Sequence, residues 1–229
     1  MIGHYDWAGG REAMLRFGPD DGPVVVLALP LFEEANRTRA FAVTMLRALA
    51  GHGIASVLPD LPGTGESLIE LEDVMASSWT DAFSSASDRA RHVASLRGGC
   101  LIAGNVPALS RWYFAPMAGE SLVRDLVRAR QAADREEGAR FDNKEIDRDG
   151  PPIELTGNRI SRRLLRALRE AEPDALPPCR VVRLDGDARP ADRHVPGTPL
   201  WRRAEPDNDP ALAALLADDL AAWVRRCES

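Results

Sequence analysis

The chain has 229 residues, a length that fits one α/β domain. Hydrophobic residues make up 45% of it and charged residues 28%, the balance of a globular protein with a buried core, and the formal net charge of −6 argues against a nucleic-acid binder that relies on general attraction to phosphate. The three cysteines lack CxxC spacing, which excludes a disulfide framework and a zinc site. No apolar stretch is long enough for a membrane-spanning helix, and the sequence shows no signal-peptide pattern. Together these observations predict a cytoplasmic protein.

The N-terminal part of the sequence predicts a βαβ unit. Residues 11–17 can form a first strand, and the apolar run 24–30 suits a strand buried on both faces of a parallel sheet. The next segment repeats apolar residues at every fourth position, which predicts a helix ending near Gly51. A further strand is expected at 54–58, so the crossover between the two parallel strands should be right-handed.

Strands and helices continue to alternate along the rest of the chain. We expect strands at 92–96, 111–114, 180–184 and 199–203, and helices at 79–90, 120–133, 159–170 and from Pro210 onward with Asp209 as N-cap. Such alternation predicts a mostly parallel sheet of six to eight strands, covered by helices on both faces. The charged segment 134–158 is expected to be an exposed excursion or a small lid on a single domain that spans 1–229.

A glycine-containing segment follows the strand expected at 54–58. Its residues Asp60, Gly63, Gly65 and Ser67 reproduce the DxxGxGxS turn of α/β-hydrolases. The glycines permit tight backbone turns, and the Asp and Ser side chains can bond the freed amides. A phosphate-binding loop is the alternative, but the lysine of GxxxxGK[ST] is missing. We therefore interpret the motif as a structural turn that indicates a three-layer α/β-hydrolase-like fold.

The segment 29–39, LPLFEEANRTR, precedes this turn. Together the two segments resemble the exosortase A system-associated hydrolases, an α/β-hydrolase branch encoded beside bacterial polysaccharide-export systems. The family pattern PFxEExNxxR is matched at Glu33, Glu34, Asn36 and Arg39, and Phe32 lies one position after the pattern's phenylalanine. Later matches complete the resemblance over most of the chain: Trp112 to Pro116, Gly119, Leu122, Arg124, Arg128 and the PGTPLW segment at 196–201.

This resemblance implies a link to exopolysaccharide export and partners among the polysaccharide-export proteins. In the hydrolase fold, the loop after the first parallel strand lends a backbone amide to the oxyanion hole. Here that loop would be Pro30 to Phe32.

The nucleophile position departs from the hydrolase pattern. In GxSxG the serine lies on a strained strand-to-helix turn between small residues. The strand at 92–96 continues into Arg97-Gly98-Gly99, which places Arg97 where the serine would be. A guanidinium stays protonated and cannot attack a carbonyl. Ser95, expected to point away from the turn, and Cys100, one turn further along, are weak substitutes.

The other two triad positions also depart. An acid after the strand at 180–184 could be Asp185 or Asp187. The histidine should follow the last strand, yet the nearest histidine, His194, is expected in the loop before it, where a histidine is more often solvated. We interpret the triad as degenerate, with Ser95, Asp185 and His194 as only weak catalytic candidates.

Arg97 would point into the former catalytic pocket. Four acidic residues could pair with it: Glu33, Glu34, Asp185 and Glu205. One alternative is a salt bridge that fills a dead pocket, and the other is a receptor for a carboxylate, a phosphate or an acidic sugar. In the receptor, the expected ligand-binding residues are Arg97, Leu31, Phe32 and Glu33.

The sequence therefore favours a pseudoenzyme: a catalytically degenerate α/β-hydrolase-fold protein that binds a small anionic or acyl ligand or a partner protein. No metal-binding cluster is visible, so neither a metal nor another cofactor is expected. The alternative is an active carboxylic-ester or thioester hydrolase with a non-standard site, and a third hypothesis is a domain that stabilises an assembly. The sequence leaves open whether the chain is an enzyme and which oligomer it forms.

Overall fold

The computed structural model describes residues 1–104, 106–136, 140–174 and 176–229. These described residues form ten strands: β1 (Ile2–Trp7), β2 (Gly10–Phe17), β3 (Val24–Ala28), β4 (Ala55–Pro59), β5 (His92–Leu96), β6 (Ser110–Phe114), β7 (Ile153–Leu155), β8 (Asn158–Ile160), β9 (Cys179–Leu184) and β10 (Arg193–Val195). The same part of the chain forms five α-helices: α1 (Glu33–Gly51), α2 (Ala76–Ala86), α3 (Gly119–Glu136), α4 (Arg162–Glu170) and α5 (Pro210–Glu228).

The apolar runs of β3 and β4 pair in parallel near the middle of an eight-stranded sheet with the order β1-β2-β4-β3-β5-β6-β9-β10. Within this sheet the six strands β4, β3, β5, β6, β9 and β10 run parallel, and β1 and β2 add an antiparallel edge. Strands β7 and β8 form a separate antiparallel pair. One apolar cluster joins α1 and α5 to one face of the sheet, and a second joins α2, α3 and α4 to the other face. The structure thus confirms the predicted three-layer α/β architecture.

Helix α5 shows how local signals start an element and packing stabilises it. The Asp209 carboxylate accepts a hydrogen bond from the Leu212 amide, and Pro210 occupies the first turn. Leu212, Leu216 and Leu220 form a buried stripe against the sheet. The predicted N-cap and apolar face are confirmed.

Three predicted elements differ from the structure. The helix expected at 79–90 is α2, which runs from Ala76 to Ala86 and has Ser87 as its C-cap. The strand expected at 199–203 is wrong: the last strand is β10, and Leu200–Arg202 forms a 3-10 turn whose first two side chains are both buried, a pattern without strand alternation. The helix expected from residue 159 begins at Arg162, because residues 158–160 pair with β7 and the Ser161 hydroxyl caps the helix at the Leu164 amide.

The charged excursion lies against the α2–α3–α4 layer. Its apolar side chains Ile146, Ile153 and Leu155 are buried in that cluster. Arginines of α4 form ion pairs with acidic residues of the same excursion: Arg162 with Glu145, Arg166 with Asp149 and Arg169 with Asp147. The described part of the segment is therefore packed down, and its movement as a lid stays a prediction.

Helices α3 and α4 approach each other closely where α3 begins. A Cβ atom on Gly119 would lie 1.7 Å from the carbonyl oxygen of Leu168. The Gly119 amide also donates to the carbonyl of Ala171. Only a glycine fits there without moving one helix, so this contact fixes α3 relative to α4.

A buried histidine joins the end of α5 to the sheet. His92, at the start of β5, contacts the Ser110 hydroxyl through Nδ1 and the Glu228 carboxylate through Nε2, both at 2.8 Å. Its side chain is 1% exposed. Burial lowers the pKa of His92 below its ordinary value, against the opposing effect of Glu228.

We expect acid to destabilise the protein through His92. Because the folded-state pKa lies below the unfolded value of about 6.5, the unfolded chain takes up the proton first, and stability falls as the pH drops below that value. Thermal unfolding between pH 7 and pH 5 should show a falling Tm, and the fall should be smaller in a His92→Gln variant. An equal fall in both proteins would contradict this assignment.

Candidate functional site

The turn after β5 has a strained residue at the position of the missing nucleophile. Arg97 follows Leu96, begins a 3-10 turn that runs to Leu101, and has a φ of 51°, in the left-handed region that non-glycine residues rarely occupy. A Cβ on Gly99 would come within 2.4 Å of the Leu29 carbonyl oxygen, so glycine allows the turn to approach the loop after β3. The turn thus shares the left-handed φ and the close glycine contact of a nucleophile elbow, but a 3-10 turn follows β5 where the elbow of the hydrolase pattern leads into a helix.

The Arg97 side chain is engaged rather than free. Its Nε and Nη2 donate to the two carboxylate oxygens of Glu34 at 3.1 and 2.9 Å. Its guanidinium carbon lies 4.6 Å from the centre of the Trp201 ring, a cation–π contact. The Arg97 side chain is 8% exposed and that of Glu34 is 19% exposed. The charge at the elbow is therefore balanced by an acid from the first turn of α1.

Of the four acids expected to pair with Arg97, only Glu34 does so. Glu33 lies 3.5 Å from Arg37 on its own helix. Asp185 and Glu205 form no ion pair with any residue that the structure describes.

The substitute nucleophiles are buried. Ser95 has no exposed surface, and its hydroxyl has no hydrogen-bond partner among the described residues. The Cys100 thiol is 1% exposed and donates to the carbonyl of Arg97 at 2.9 Å. Burial raises the pKa of Cys100 to about 11, so almost no thiolate forms near neutral pH.

The remaining triad candidates are not arranged as a relay. Hydrogen bonds from Arg189, which have the larger effect, and from Arg183 hold the pKa of Asp187 well below its usual range. His194 lies in β10 and not in the loop where it was expected, and its Nε2 faces the carbonyl oxygens of Asp187 and Arg189. Asp185 is exposed. Within the described ranges, no serine, histidine and acid meet at the elbow.

A cavity of about 450 Å³ opens beside Arg97. Helix α3 contributes one wall, and the segments that follow β9 and β10 contribute the other, including Trp201. Its charged lining residues are mostly basic: Arg97, Arg124, Arg128, Arg189 and Arg202, against Asp125 and Asp187. This composition suits an anionic ligand.

The predicted binding residues Leu31 and Phe32 lie elsewhere. They line a second cavity of about 180 Å³ between α1 and the glycine turn, and Phe32 has a φ of 58°. Glu33 is beside neither cavity. The structure therefore brings Arg97 and Asp187 to one cavity and separates them from Leu31 and Phe32.

The glycine turn is held by its own side chains. The Asp60 carboxylate accepts from the Glu66 amide at 3.2 Å, and the Ser67 hydroxyl accepts from the Gly63 amide at 3.0 Å. Arg39 of the preceding segment lies 2.7 Å from Asp60. The two motifs thus meet in one ion pair, and their polar groups stabilise the backbone of the turn.

Neither a metal site nor a membrane span is found in the part of the chain that the structure describes. No three potential metal-ligating side chains cluster there. Among those same residues, no helix is long and apolar enough to cross a membrane.

Similar solved structures share this fold. The match to an esterase domain from Rhodothermus marinus covers 99% of this chain and 98% of that domain, with a TM-score of 0.62 and 18% identity. A haloalkane dehalogenase loop variant from Bradyrhizobium elkanii has a TM-score of 0.61 at 12% identity, with 100% and 97% coverage. A bottromycin epimerase, solved with bottromycin A2, has a TM-score of 0.52 at 17% identity, with 96% and 98% coverage.

The protein therefore has the α/β-hydrolase fold. No protein-family model and no curated protein matches the sequence. At these identities the likeness concerns the fold, and function depends on the site.

Two features of the site were missed by sequence reasoning. The Trp201 ring under Arg97 comes from a segment where a strand was expected, so its side chain had no assigned position. The basic wall of the cavity had a visible signal, since Arg124 and Arg128 lie four residues apart on α3 and so share one face of the helix.

Proposed function

We propose that this protein is a catalytically degenerate α/β-hydrolase-fold protein that binds a small anionic ligand in the cavity beside Arg97. The observation that best supports this proposal is the turn after β5. Arg97 there has the left-handed backbone of a nucleophile turn, but its side chain is a guanidinium bonded to Glu34. A paired arginine supplies neither a nucleophile nor a base for ester hydrolysis.

The basic lining of the cavity supports an anion over a neutral acyl ligand. Five arginines face two carboxylates there, in a protein whose formal net charge is −6. The fold also accommodates chemistry other than hydrolysis, since one similar structure is an epimerase. The resemblance of the segments at 29–39 and 60–67 to exosortase-associated hydrolases supports a role beside cytoplasmic steps of polysaccharide export, with partners among those proteins.

Activity-based labelling distinguishes the degenerate site from the alternative, an active ester or thioester hydrolase. The purified protein should remain unlabelled by a fluorophosphonate probe and should not hydrolyse p-nitrophenyl or thioester substrates above background. The physical reason is that Ser95 and Cys100 are buried without a basic partner.

The control is the same experiment on a Ser95→Ala variant and on a Cys100→Ala variant. Stoichiometric labelling of the parent protein that disappears in either variant would establish a working nucleophile and overturn the degenerate site.

A further inference from the structure

The cavity beside Arg97 has an excess of positive charge, since five arginines line it against Asp125 and Asp187. Arg97 is balanced by Glu34, and Arg189 lies 2.7 Å from Asp187. The three remaining arginines, Arg124, Arg128 and Arg202, form no ion pair with any carboxylate in the described ranges. Their guanidinium groups are therefore the ones available to a ligand.

These three arginines come from two sides of the cavity. Arg124 and Arg128 belong to α3, where like charges four residues apart repel each other. Arg202 belongs to the 3-10 turn that also holds Trp201. Ser121, whose hydroxyl accepts from Arg124 at 3.0 Å, adds a neutral polar group to the α3 side.

We propose that the cavity binds a ligand with two or more clustered oxyanion groups, held between Arg124 and Arg128 on one side and Arg202 on the other. This inference rests on the proposed function and specifies its ligand. Arginine forks bind carboxylate and phosphate oxygens in pairs, so a diphosphate ester and an acidic oligosaccharide share the required chemistry. A volume of about 450 Å³ accommodates a ligand of either kind.

Arg97 has a different part in this arrangement. Its guanidinium donates to Glu34 and covers the Trp201 ring, so it holds the segment that carries Arg202 against the elbow. It is a positioning residue, while the unpaired arginines contact the ligand.

The test is titration calorimetry on the intact protein at constant ionic strength, since screening changes every charge interaction. Four probes are compared: pyrophosphate, orthophosphate, digalacturonate and galacturonate. Each probe with two anionic groups should bind at least about tenfold more tightly than its counterpart with one, as expected for an added charge-assisted contact. Of pyrophosphate and digalacturonate, the probe that binds more tightly identifies whether the ligand's anionic groups are phosphates or carboxylates.

A pair of double variants separates contact from general attraction. Arg124→Gln with Arg128→Gln should weaken the double-group probe at least about tenfold. Arg47→Gln with Arg226→Gln removes the same charge from α1 and α5 and should leave binding within about twofold. Circular dichroism and Tm confirm that both variants are folded.

Equal binding of single-group and double-group probes would overturn this inference and leave the proposed anion site standing. Equal weakening in both double variants would overturn it as well, because the contacts would then not be local. Absence of binding by all four probes would overturn it too, while the fluorophosphonate experiment decides independently whether the elbow is degenerate.

Discussion

Replacing Arg97 by alanine should lower the free energy of unfolding by about 3 kcal/mol, the effect of leaving one partner of a largely buried ion pair uncompensated. The side chain is 8% exposed and makes two hydrogen bonds to Glu34. It also loses its contact with Trp201. Chemical denaturation monitored by tryptophan fluorescence and by circular dichroism measures the change.

Two companion variants apportion this loss. The double variant with Glu34→Ala should lose less than the sum of the single variants, by about 1–3 kcal/mol, because the two residues share one interaction. Arg97→Gly should be about 1 kcal/mol more stable than Arg97→Ala, since glycine adopts a φ of 51° without steric cost. An Arg97→Ala variant with unchanged stability would show that the side chain is neither buried nor paired in solution.

Replacing Asp219 by asparagine should lower the free energy of unfolding by about 3–5 kcal/mol, because two arginines would lose the buried carboxylate between them. Asp219 is 3% exposed and accepts hydrogen bonds from Trp112, Arg180 and Arg193, all at 2.8 Å. These bonds connect α5 to β6, β9 and β10. Thermal unfolding of the variant measures the loss.

The neighbouring Asp218 provides a matched control. Its side chain is 67% exposed and contacts His52, so Asp218→Asn should change stability by no more than about 0.5 kcal/mol. Similar losses in the two variants would contradict the special position of Asp219.

Acid should act on Asp219 in a defined direction. Burial alone would raise its pKa, but hydrogen bonds from Arg180, Trp112 and Arg193 outweigh burial and lower the pKa to about 2. Its contribution to stability is therefore complete above the ordinary aspartate pKa and is lost as the pH falls towards about 2. This loss occurs at lower pH than the one assigned to His92.

The fold was predictable because its signals are local and repeated. The buried strand β3 is a short apolar run, and α5 combines an N-cap with an apolar stripe. The last strand was misplaced because β10 has only three residues and two of them are exposed arginine and histidine. Nothing in such a segment distinguishes it from a loop until it pairs with β9.

The site was predictable in outline only. The sequence placed a guanidinium after β5 and offered four acids, but the choice of Glu34 depends on how the first turn of α1 approaches the elbow.

The role of Asp219, outside the site, could not be predicted from the sequence. Its partners come from strands 39 and 26 residues earlier and from Trp112. Contacts between distant segments carry no periodic signal in one sequence.

The close approach of α3 to α4 has a consequence for how ligands would be recognised. Gly119 locks the start of α3 against the carbonyl of Leu168, on a helix whose opposite face carries Arg124 and Arg128. The backbone beneath these arginines is thus preorganised, so the ordering entropy lost on binding is confined to their side chains. Substituting Gly119 would therefore reduce affinity at a distance, by displacing the wall that carries the arginines, without removing a single group that contacts the ligand.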